Sequence, residues 1–237
     1  MEFDLSATKI FADGADRAGI AALSSDPVIQ GFTTNPTLMR AAGVADYEEF
    51  AREVVALVGD RPVSFEVFSD ESDVMHQQAR KIAGWGAQVH VKIPITDTRG
   101  NSTAVLQKNL AGDGVQLNVT ACLTLAQVES AAAALAEGPH AYVSVFAGRI
   151  ADTGRDPVPI MQQAIEILAP YPHLELIWAS PREILNVVQS AQIGCHVITV
   201  THDLLKKLGG LGRDLDAFSL DTVQMFHRDA ELSGYSL

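Results

Sequence analysis

Eight short β-rich runs alternate with longer amphipathic stretches along this chain, and this alternation limits the possible folds more than any other feature. The runs are centred about 20 to 35 residues apart, which is the spacing of strand–helix units. Several runs are apolar on both faces, as expected for parallel strands covered by helices. They cover residues 9–13, 31–34, 63–68, 89–95, 115–120, 141–146, 174–179 and 197–201. Helical patterns lie between them, among others at residues 46–58, 71–83, 125–136, 157–168 and 182–191.

Eight such units predict an α/β fold of the (β/α)8 (TIM) barrel type, in one domain over residues 1–237 with a last helix at 220–231. A chain of 237 residues suits one barrel domain of this kind. A doubly wound open sheet is the alternative. That fold usually carries a glycine-rich turn after its first strand, and residues 12–16 lack this turn.

Composition and charge exclude some classes of function. Hydrophobic residues make up 47% of the chain and charged residues 19%, so a large core can form and disorder is not expected. The formal net charge of −12 argues against a nucleic-acid partner, which requires a basic face. It does not exclude phosphorylated substrates, because a phosphate site needs only a few local cations and amides.

The sequence also predicts a soluble, cytoplasmic protein with no membrane partner. The two cysteines, Cys122 and Cys195, do not form a disulfide framework, which favours a reducing compartment. The first residues are acidic where a signal peptide would be basic. No uninterrupted apolar run approaches the ~20 residues of a membrane span.

Lys92 is the most unusual residue in the predicted strands. Among six lysines it alone lies deep in an apolar run, residues 89–95. A buried ammonium is costly unless it is paired or loses its proton, so Lys92 is a candidate catalytic amine that can form a Schiff base. The alternative is that its side chain extends from the strand end into solvent.

Polar residues follow seven of the predicted strands, at the end where barrel active sites lie. Each has a simpler explanation when taken alone: Asp13 could cap a helix, Asn35 could form a turn with Pro36, and Thr120 could be an ordinary strand residue. Seven coincidences at one end of a barrel favour a functional site. The set is Asp13, Thr33, Asn35, Glu66, Lys92, Asn118, Thr120, Ser144, Arg149, Ser180 and Arg182.

This set can carry out imine chemistry on a sugar phosphate. Lys92 would attack a ketose carbonyl, and the protonated imine would accept electrons from the adjacent C–C bond as it breaks. Glu66 could shuttle protons through a water held by Thr120, and Asp13 could act as the base for the departing fragment. Asn35, Asn118 and Ser144 can bind sugar hydroxyls, and Arg149, Ser180 and Arg182 can bind a phosphate.

Seven segments resemble the transaldolase family in sequence and in their order along nearly the whole chain. FTTNPTL at residues 32–38 is similar to the family's "TTNPTL" motif. The other similar segments are Phe11-Ala12-Asp13, SFEV at 64–67, VKIP at 91–94 with the Schiff-base lysine, NVT at 118–120, SVFAGR at 144–149 and ASPR at 179–182. The resemblance adds Thr33 and Phe146 to the substrate-binding residues.

The resemblance implies a mechanism without a cofactor, in which a dihydroxyacetone unit moves from a ketose phosphate to an aldose phosphate. The related fructose-6-phosphate aldolases release free dihydroxyacetone instead, and typically carry glutamine and tyrosine where this chain has Glu66 and Phe146. These two residues favour the transferase. The short chain resembles the small transaldolases, which implies a homo-oligomer, a decamer built from pentamers.

Departures from the family pattern lie near the expected acceptor and phosphate regions. Val145 stands where proline is usual and Pro181 where phenylalanine is usual; Trp178 is bulky, and the loop 96–102 is unlike the family's simple turn. We therefore expect an acceptor other than the ordinary pentose-phosphate sugar, in a specialised sugar pathway.

Other features give weaker indications. The seven histidines show no metal-ligand spacing, so we expect no metal site. His90 lies two residues before Lys92, and we interpret it as a packed rather than a catalytic histidine. A phosphosugar-binding barrel without catalytic activity remains the alternative from a different functional class.

Overall fold

The computed structural model describes residues 4–235, so the outermost residues of the predicted domain, 1–3 and 236–237, lie outside the described part. Eight parallel strands form a closed barrel in chain order, and β8 pairs with β1. This confirms the predicted (β/α)8 barrel. The strands are β1 (Lys9–Asp13), β2 (Ile29–Thr33), β3 (Val63–Glu66), β4 (Val89–Pro94), β5 (Leu117–Cys122), β6 (Ala141–Val145), β7 (Leu174–Trp178) and β8 (Val197–Thr201).

Helices surround the barrel, and all of them except the last bury apolar residues. They are α1 (Arg17–Leu23), α2 (Pro36–Ala41), α3 (Tyr47–Val58), α4 (Ser72–Ala83), α5 (Ala104–Gly112), α6 (Leu125–Leu135), α7 (Ala147–Ala151), α8 (Val158–Leu168), α9 (Leu185–Gln192), α10 (His202–Leu205) and α11 (Leu215–Ser233). In α3, for example, Phe50, Val54 and Val58 recur at helical spacing and are fully buried.

Some predicted boundaries were wrong, for local reasons. The fifth run, predicted from residue 115, begins as a strand only at Leu117, because the Val115 amide bonds to the Leu110 carbonyl and closes the end of α5. The last helix begins at Leu215 rather than at residue 220. Asp214 caps it by accepting a hydrogen bond from the Ala217 amide at 2.9 Å.

Aromatic and imidazole rings pack together in the part of the barrel that precedes the polar residues along the strands. Phe11 and Tyr142 meet edge to face, with ring centroids 5.6 Å apart. Gly31 makes room for Phe11, since a β-carbon at residue 31 would collide with the phenyl ring. His90 packs on Tyr142 and its Nε2 lies 3.0 Å from Nδ1 of His140, which fits the packed role predicted for it.

Strand register brings the predicted polar residues to one level of the barrel. Glu66 pairs with Lys92, Lys92 pairs with Asn118, and Asp13 pairs with Thr33. Side chains alternate between the two sides of a strand, so residues two positions earlier, such as Ser64 below Glu66, point the same way. Within residues 4–235, no helix has both the length and the apolarity required to cross a membrane.

Candidate active site

Lys92 lies at the centre of the site and is only 6% exposed, so it does not extend into solvent. Its Nζ donates a hydrogen bond to the Thr34 carbonyl at 3.0 Å and lies 3.4 Å from Oε2 of Glu66. A buried amine with one carboxylate and one carbonyl as neighbours is satisfied in the protein.

Glu66 ends β3, and an aromatic cluster holds it in place. The Tyr47 hydroxyl donates a hydrogen bond to the Glu66 backbone carbonyl at 2.7 Å. Tyr47 in turn packs edge to face on Phe65 and lies against Trp85, with centroids 6.4 and 5.7 Å away. The Glu66 carboxylate is therefore fixed beside Lys92 by backbone as well as side-chain contacts, although it remains partly open to solvent.

Asp13 is held by a hydroxyl pair. The Thr33 hydroxyl donates to Oδ1 of Asp13 at 2.7 Å, and it also contacts the hydroxyl of Thr199. The protein atoms packed around the Asp13 carboxyl raise its pKa by desolvation, although Lys92 and the Thr33 hydrogen bond act in the opposite direction. An aspartate with a raised pKa, near an amine, can accept a proton during a reaction and release it afterwards.

A second hydrogen-bonded chain crosses the barrel below Lys92. The Ser144 hydroxyl donates to Oδ1 of Asn118 at 2.7 Å, and Nδ2 of Asn118 donates to the Ser64 hydroxyl at 3.0 Å. Asn118 is fully buried, so its amide plane is fixed by these contacts. An amide fixed in this way presents its remaining donor and acceptor positions in one direction, which is suited to binding a hydroxyl group.

Thr120 supplies a buried hydroxyl with no hydrogen-bond partner among residues 4–235. It lies on the same strand face as Asn118. The next residue, Ala121, has φ of 63°, a left-handed conformation that is costly for alanine and marks the irregular end of β5. A buried polar atom without a partner is expected to bind a water or a substrate oxygen, so Thr120 fits its predicted part in proton transfer.

The residues predicted to bind phosphate lie beyond the ends of β6 and β7, with Arg149 on α7 and Ser180 and Arg182 on the loop after β7. Arg149 is exposed, with its guanidinium 5.4 Å from the centre of the Phe146 ring. Arg182 instead forms a two-point hydrogen-bonded pair with the carboxylate of Asp152, which the sequence did not indicate. Ser180 adopts φ of 60° in the turn that follows β7, just before Arg182.

Helix α7, which follows β6, is in close contact with the loop after β7 at Gly148. A β-carbon at residue 148 would overlap the Ser180 carbonyl, so only glycine lets the two backbones approach this closely. The Arg182 side chain passes over the same glycine. This contact brings Arg149, Ser180 and Arg182 to one end of the site, as the predicted phosphate role requires.

Asn35 has a structural function that the sequence left open. Its Oδ1 accepts a hydrogen bond from the Leu38 amide at 2.9 Å and caps α2, with Pro36 in the first turn. The cap uses one of the two lone pairs of Oδ1, so the second lone pair and the amide NH2 of Asn35 are left to bind a substrate. The predicted residues Asp13, Thr33, Glu66, Lys92, Asn118, Thr120 and Ser144 line the barrel interior. Asn35, Phe146, Ser180 and Arg182 lie on the loops beyond it, and Arg149 lies on α7.

The family model for "Transaldolase/Fructose-6-phosphate aldolase" matches residues 10–234, which include every residue of the site described above. The chain belongs to the transaldolase/fructose-6-phosphate aldolase family. Family membership confirms the resemblance drawn from the sequence segments and makes the protein an enzyme of this class.

Individual relatives agree with the family match. Two curated proteins of Streptococcus pyogenes, from strains Manfredo and NZ131, carry the name "Probable transaldolase". Each is 36% identical over 201 residues, which is 84% of this chain and 89% of the relative. Among solved structures, a mandelate oxidase variant superposes with a TM-score of 0.56 at 14% identity, over 90% of this chain and 75% of its own. That likeness shows the barrel fold alone.

Four contacts of the family site were missed by sequence reasoning. Ser64, Thr199, Tyr47 and Asp152 each touch a predicted residue from a distant part of the chain. Ser64 could have been found from its alternation with Glu66 on β3. The others carry no local signal.

Proposed function

We propose that this protein is a transaldolase, which moves a dihydroxyacetone unit from a ketose phosphate to an aldose phosphate through a Schiff base on Lys92. The observation that carries the proposal is the buried Lys92 amine, which lies 3.4 Å from the Glu66 carboxylate near the end of β4. The family match and the names of the relatives support the same activity.

In the proposed reaction the Lys92 amine adds to the ketose carbonyl, and loss of water gives an imine. Glu66 transfers the protons for this step, through a water at the Thr120 hydroxyl. Asp13 takes the proton from the hydroxyl of the departing fragment as the C–C bond breaks and its electrons move toward the imine nitrogen. The resulting enamine attacks the aldehyde of the acceptor, and hydrolysis frees Lys92.

Borohydride trapping tests the Schiff base directly. The protein is incubated with fructose 6-phosphate, reduced and digested, and the modified peptide is mapped by mass spectrometry. A reduced dihydroxyacetone adduct on Lys92 supports the proposal. If no ketose phosphate gives an adduct with folded protein, the enzyme proposal fails and the phosphosugar-binding barrel replaces it.

The related aldolase activity is the second candidate, because the family includes both reactions. Glu66 and Phe146 favour the transferase, as argued from the sequence. Measuring free dihydroxyacetone without an acceptor separates the two activities. Slow release that is replaced by transfer when an aldose phosphate is added identifies a transaldolase, whereas rapid release unaffected by acceptor identifies an aldolase.

We further propose that the acceptor is not the ordinary pentose-phosphate sugar. The unusual loop 96–102 is fixed to the loop after β3, since the Thr98 amide and hydroxyl donate to the Asp70 carboxylate at 2.7 and 2.6 Å. A loop fixed beside the Lys92 strand changes the shape of the entrance on the acceptor side. A panel of aldose phosphates tests this, and a strong preference for erythrose 4-phosphate would contradict it.

A second copy of this chain is the partner that we propose. Helix α11 has no buried residue, and Leu215, Phe218, Val223 and Phe226 are at least half exposed on one broad face. An apolar groove of about 950 Å³ lies between α1, α2 and α10, and it extends to Leu211, just before α11 begins.

The groove thus ends close to the start of α11, and the apolar face of α11 is not packed against its own chain. A repeating exchange, in which α11 of one copy occupies the groove of the next, would cover both surfaces. The decamer implied by the family resemblance is the assembly that we expect. The unpaired, buried Cys122 and Cys195 also fit the cytoplasmic location expected from the sequence.

A further inference from the structure

Three polar side chains form a directed chain across the inside of β1. Thr33 lies on β2 and Thr199 on β8, so they flank β1 on its two sides. Their hydroxyls are in hydrogen-bond contact, and the Thr33 hydroxyl also donates to Oδ1 of Asp13 at 2.7 Å. Thr33 is 3% exposed and Thr199 5% exposed, so bulk water does not compete for these contacts.

When Asp13 is ionised, counting protons fixes the direction of this chain. An ionised carboxylate only accepts hydrogen bonds, and a threonine hydroxyl carries one proton. Because the Thr33 proton goes to Asp13, the proton between the two hydroxyls must come from Thr199. The order of donation is therefore Thr199 to Thr33 to Asp13. Chains of this kind polarise each member, so the last bond to the carboxylate is stronger than that of an isolated threonine.

We propose that Thr199 is a positioning residue, which acts through Thr33 to orient the Asp13 carboxylate and to favour its ionised form. The part of this inference that concerns the reaction rests on the proposed function, in which Asp13 is the base. The part that concerns the carboxylate itself does not. Thr199 makes none of the proposed substrate contacts, and the segments that resemble the family do not include it.

The chain offers a matched control for a purely structural role. Thr8 is also 5% exposed, and its hydroxyl also contacts a second hydroxyl, that of Ser190, at 3.0 Å. Thr8 comes just before β1, at the end of the barrel opposite the site. Thr199→Val and Thr8→Val therefore remove the same kind of buried bond, and only the first reaches Asp13.

The first experiment measures the ionisation of Asp13 in the free protein, without substrate. Aspartate carboxyl carbons are labelled with carbon-13, the Asp13 signal is assigned by its loss in Asp13→Asn, and its titration midpoint is followed by NMR. We expect a higher midpoint in Thr199→Val and an unchanged midpoint in Thr199→Ser and Thr8→Val. An unchanged midpoint in Thr199→Val overturns the inference. If the valine variant does not fold, the titration midpoint of Asp13 is measured in Thr199→Ala instead, with the same expectation.

The second experiment measures turnover, if the Schiff base on Lys92 is found. We expect Thr199→Val to lower kcat roughly tenfold with little change in KM, and to move the pH–rate profile to higher pH. Equal losses in Thr199→Val and Thr8→Val would show a structural effect only and overturn the role in the reaction. A failed trapping experiment would remove the proposed function, whereas the titration of Asp13 would still decide the role of Thr199.

Discussion

The Nζ atom of Lys92 lies 3.4 Å from a carboxylate oxygen of Glu66, and the two residues are register partners on β4 and β3. Register pairing fixes the two backbones, and the Tyr47 hydrogen bond fixes the end of β3 independently. The amine and the carboxylate are thus placed by the sheet rather than by a loop. Sites built on strands in this way hold their geometry more accurately than sites built on loops.

Replacing Lys92 with methionine should abolish adduct formation and lower activity by at least ~1000-fold, because no other amine can replace it at this position. Trapping and turnover assays measure the two effects. Lys9→Met is the control, since Lys9 also pairs with a carboxylate, that of Glu175 at 2.7 Å, but half-exposed at the other end of the barrel. An adduct that persists in Lys92→Met would assign the chemistry to a different lysine.

Acid should destabilise the protein through His90. Burial and the neighbouring His140 lower the pKa of His90 from 6.5 to about 4. Below pH 6.5 the unfolded chain therefore binds a proton that the folded protein does not. Stability should fall by up to about 3 kcal/mol between pH 6.5 and about 4.

Urea denaturation of His90→Gln at several pH values tests this window. The groups around the imidazole are His140, Tyr142, Glu175 and Lys9, and the contacts of Glu175 with His140 and Lys9 outweigh its burial and lower its pKa to about 2. Glu175 therefore stays ionised throughout the window. We expect a flatter pH dependence in His90→Gln than in the parent protein. Identical slopes in the two proteins would assign the acid sensitivity to other groups.

Asp152 should weaken phosphate binding, because a phosphate has to displace it from Arg182. The pair is about half exposed and is therefore worth at most about 1 kcal/mol. Asp152→Asn should lower KM for a phosphorylated donor by up to about fivefold. Asp156→Asn, on the same loop but away from Arg182, is the control in steady-state kinetics. A raised KM in Asp152→Asn would show instead that Asp152 orients the arginine.

Charge on the exposed face of α11 should break the proposed assembly. Phe226→Asp is expected to reduce the mass measured by light scattering, because a carboxylate cannot be buried in an apolar groove without a partner. Phe68→Asp is a close control, since Phe68 is 66% exposed and Phe226 63% exposed, but Phe68 follows β3 rather than lying on α11. If Phe226→Asp keeps the mass of the parent, the proposed role of α11 in assembly is wrong.

The sequence predicted the barrel and most of the site because both depend on local patterns. Alternating apolar runs mark the strands, and Lys92, Glu66 and Asp13 each stand out within a short apolar segment. Partners such as Thr199 and Asp152 could not be predicted in this way. Thr199 reaches Thr33 over 166 positions and Arg182 reaches Asp152 over 30, so only the closed barrel and its loops bring these pairs together.

Two predicted boundaries were wrong because a single hydrogen bond determines where the element begins. The start of α11 depends on the side chain of Asp214, and the late start of β5 depends on one backbone bond that closes α5. Hydrogen bonds of this kind cannot be identified from the sequence, because they depend on the backbone conformation at that position.

The contact between Gly148 and the Ser180 carbonyl has a consequence for how this enzyme can diverge. No side chain can be accommodated at residue 148. Few substitutions are therefore tolerated at the end of the site where the arginines lie. In the loop after β4 the position of the missing β-carbon of Gly100 is open, but its φ of 84° strains any other residue there, so exchange of the whole loop is the available route. New substrate preferences should therefore arise from exchange of the loop after β4, and a library for altered acceptors would randomise that loop and leave the arginine end intact.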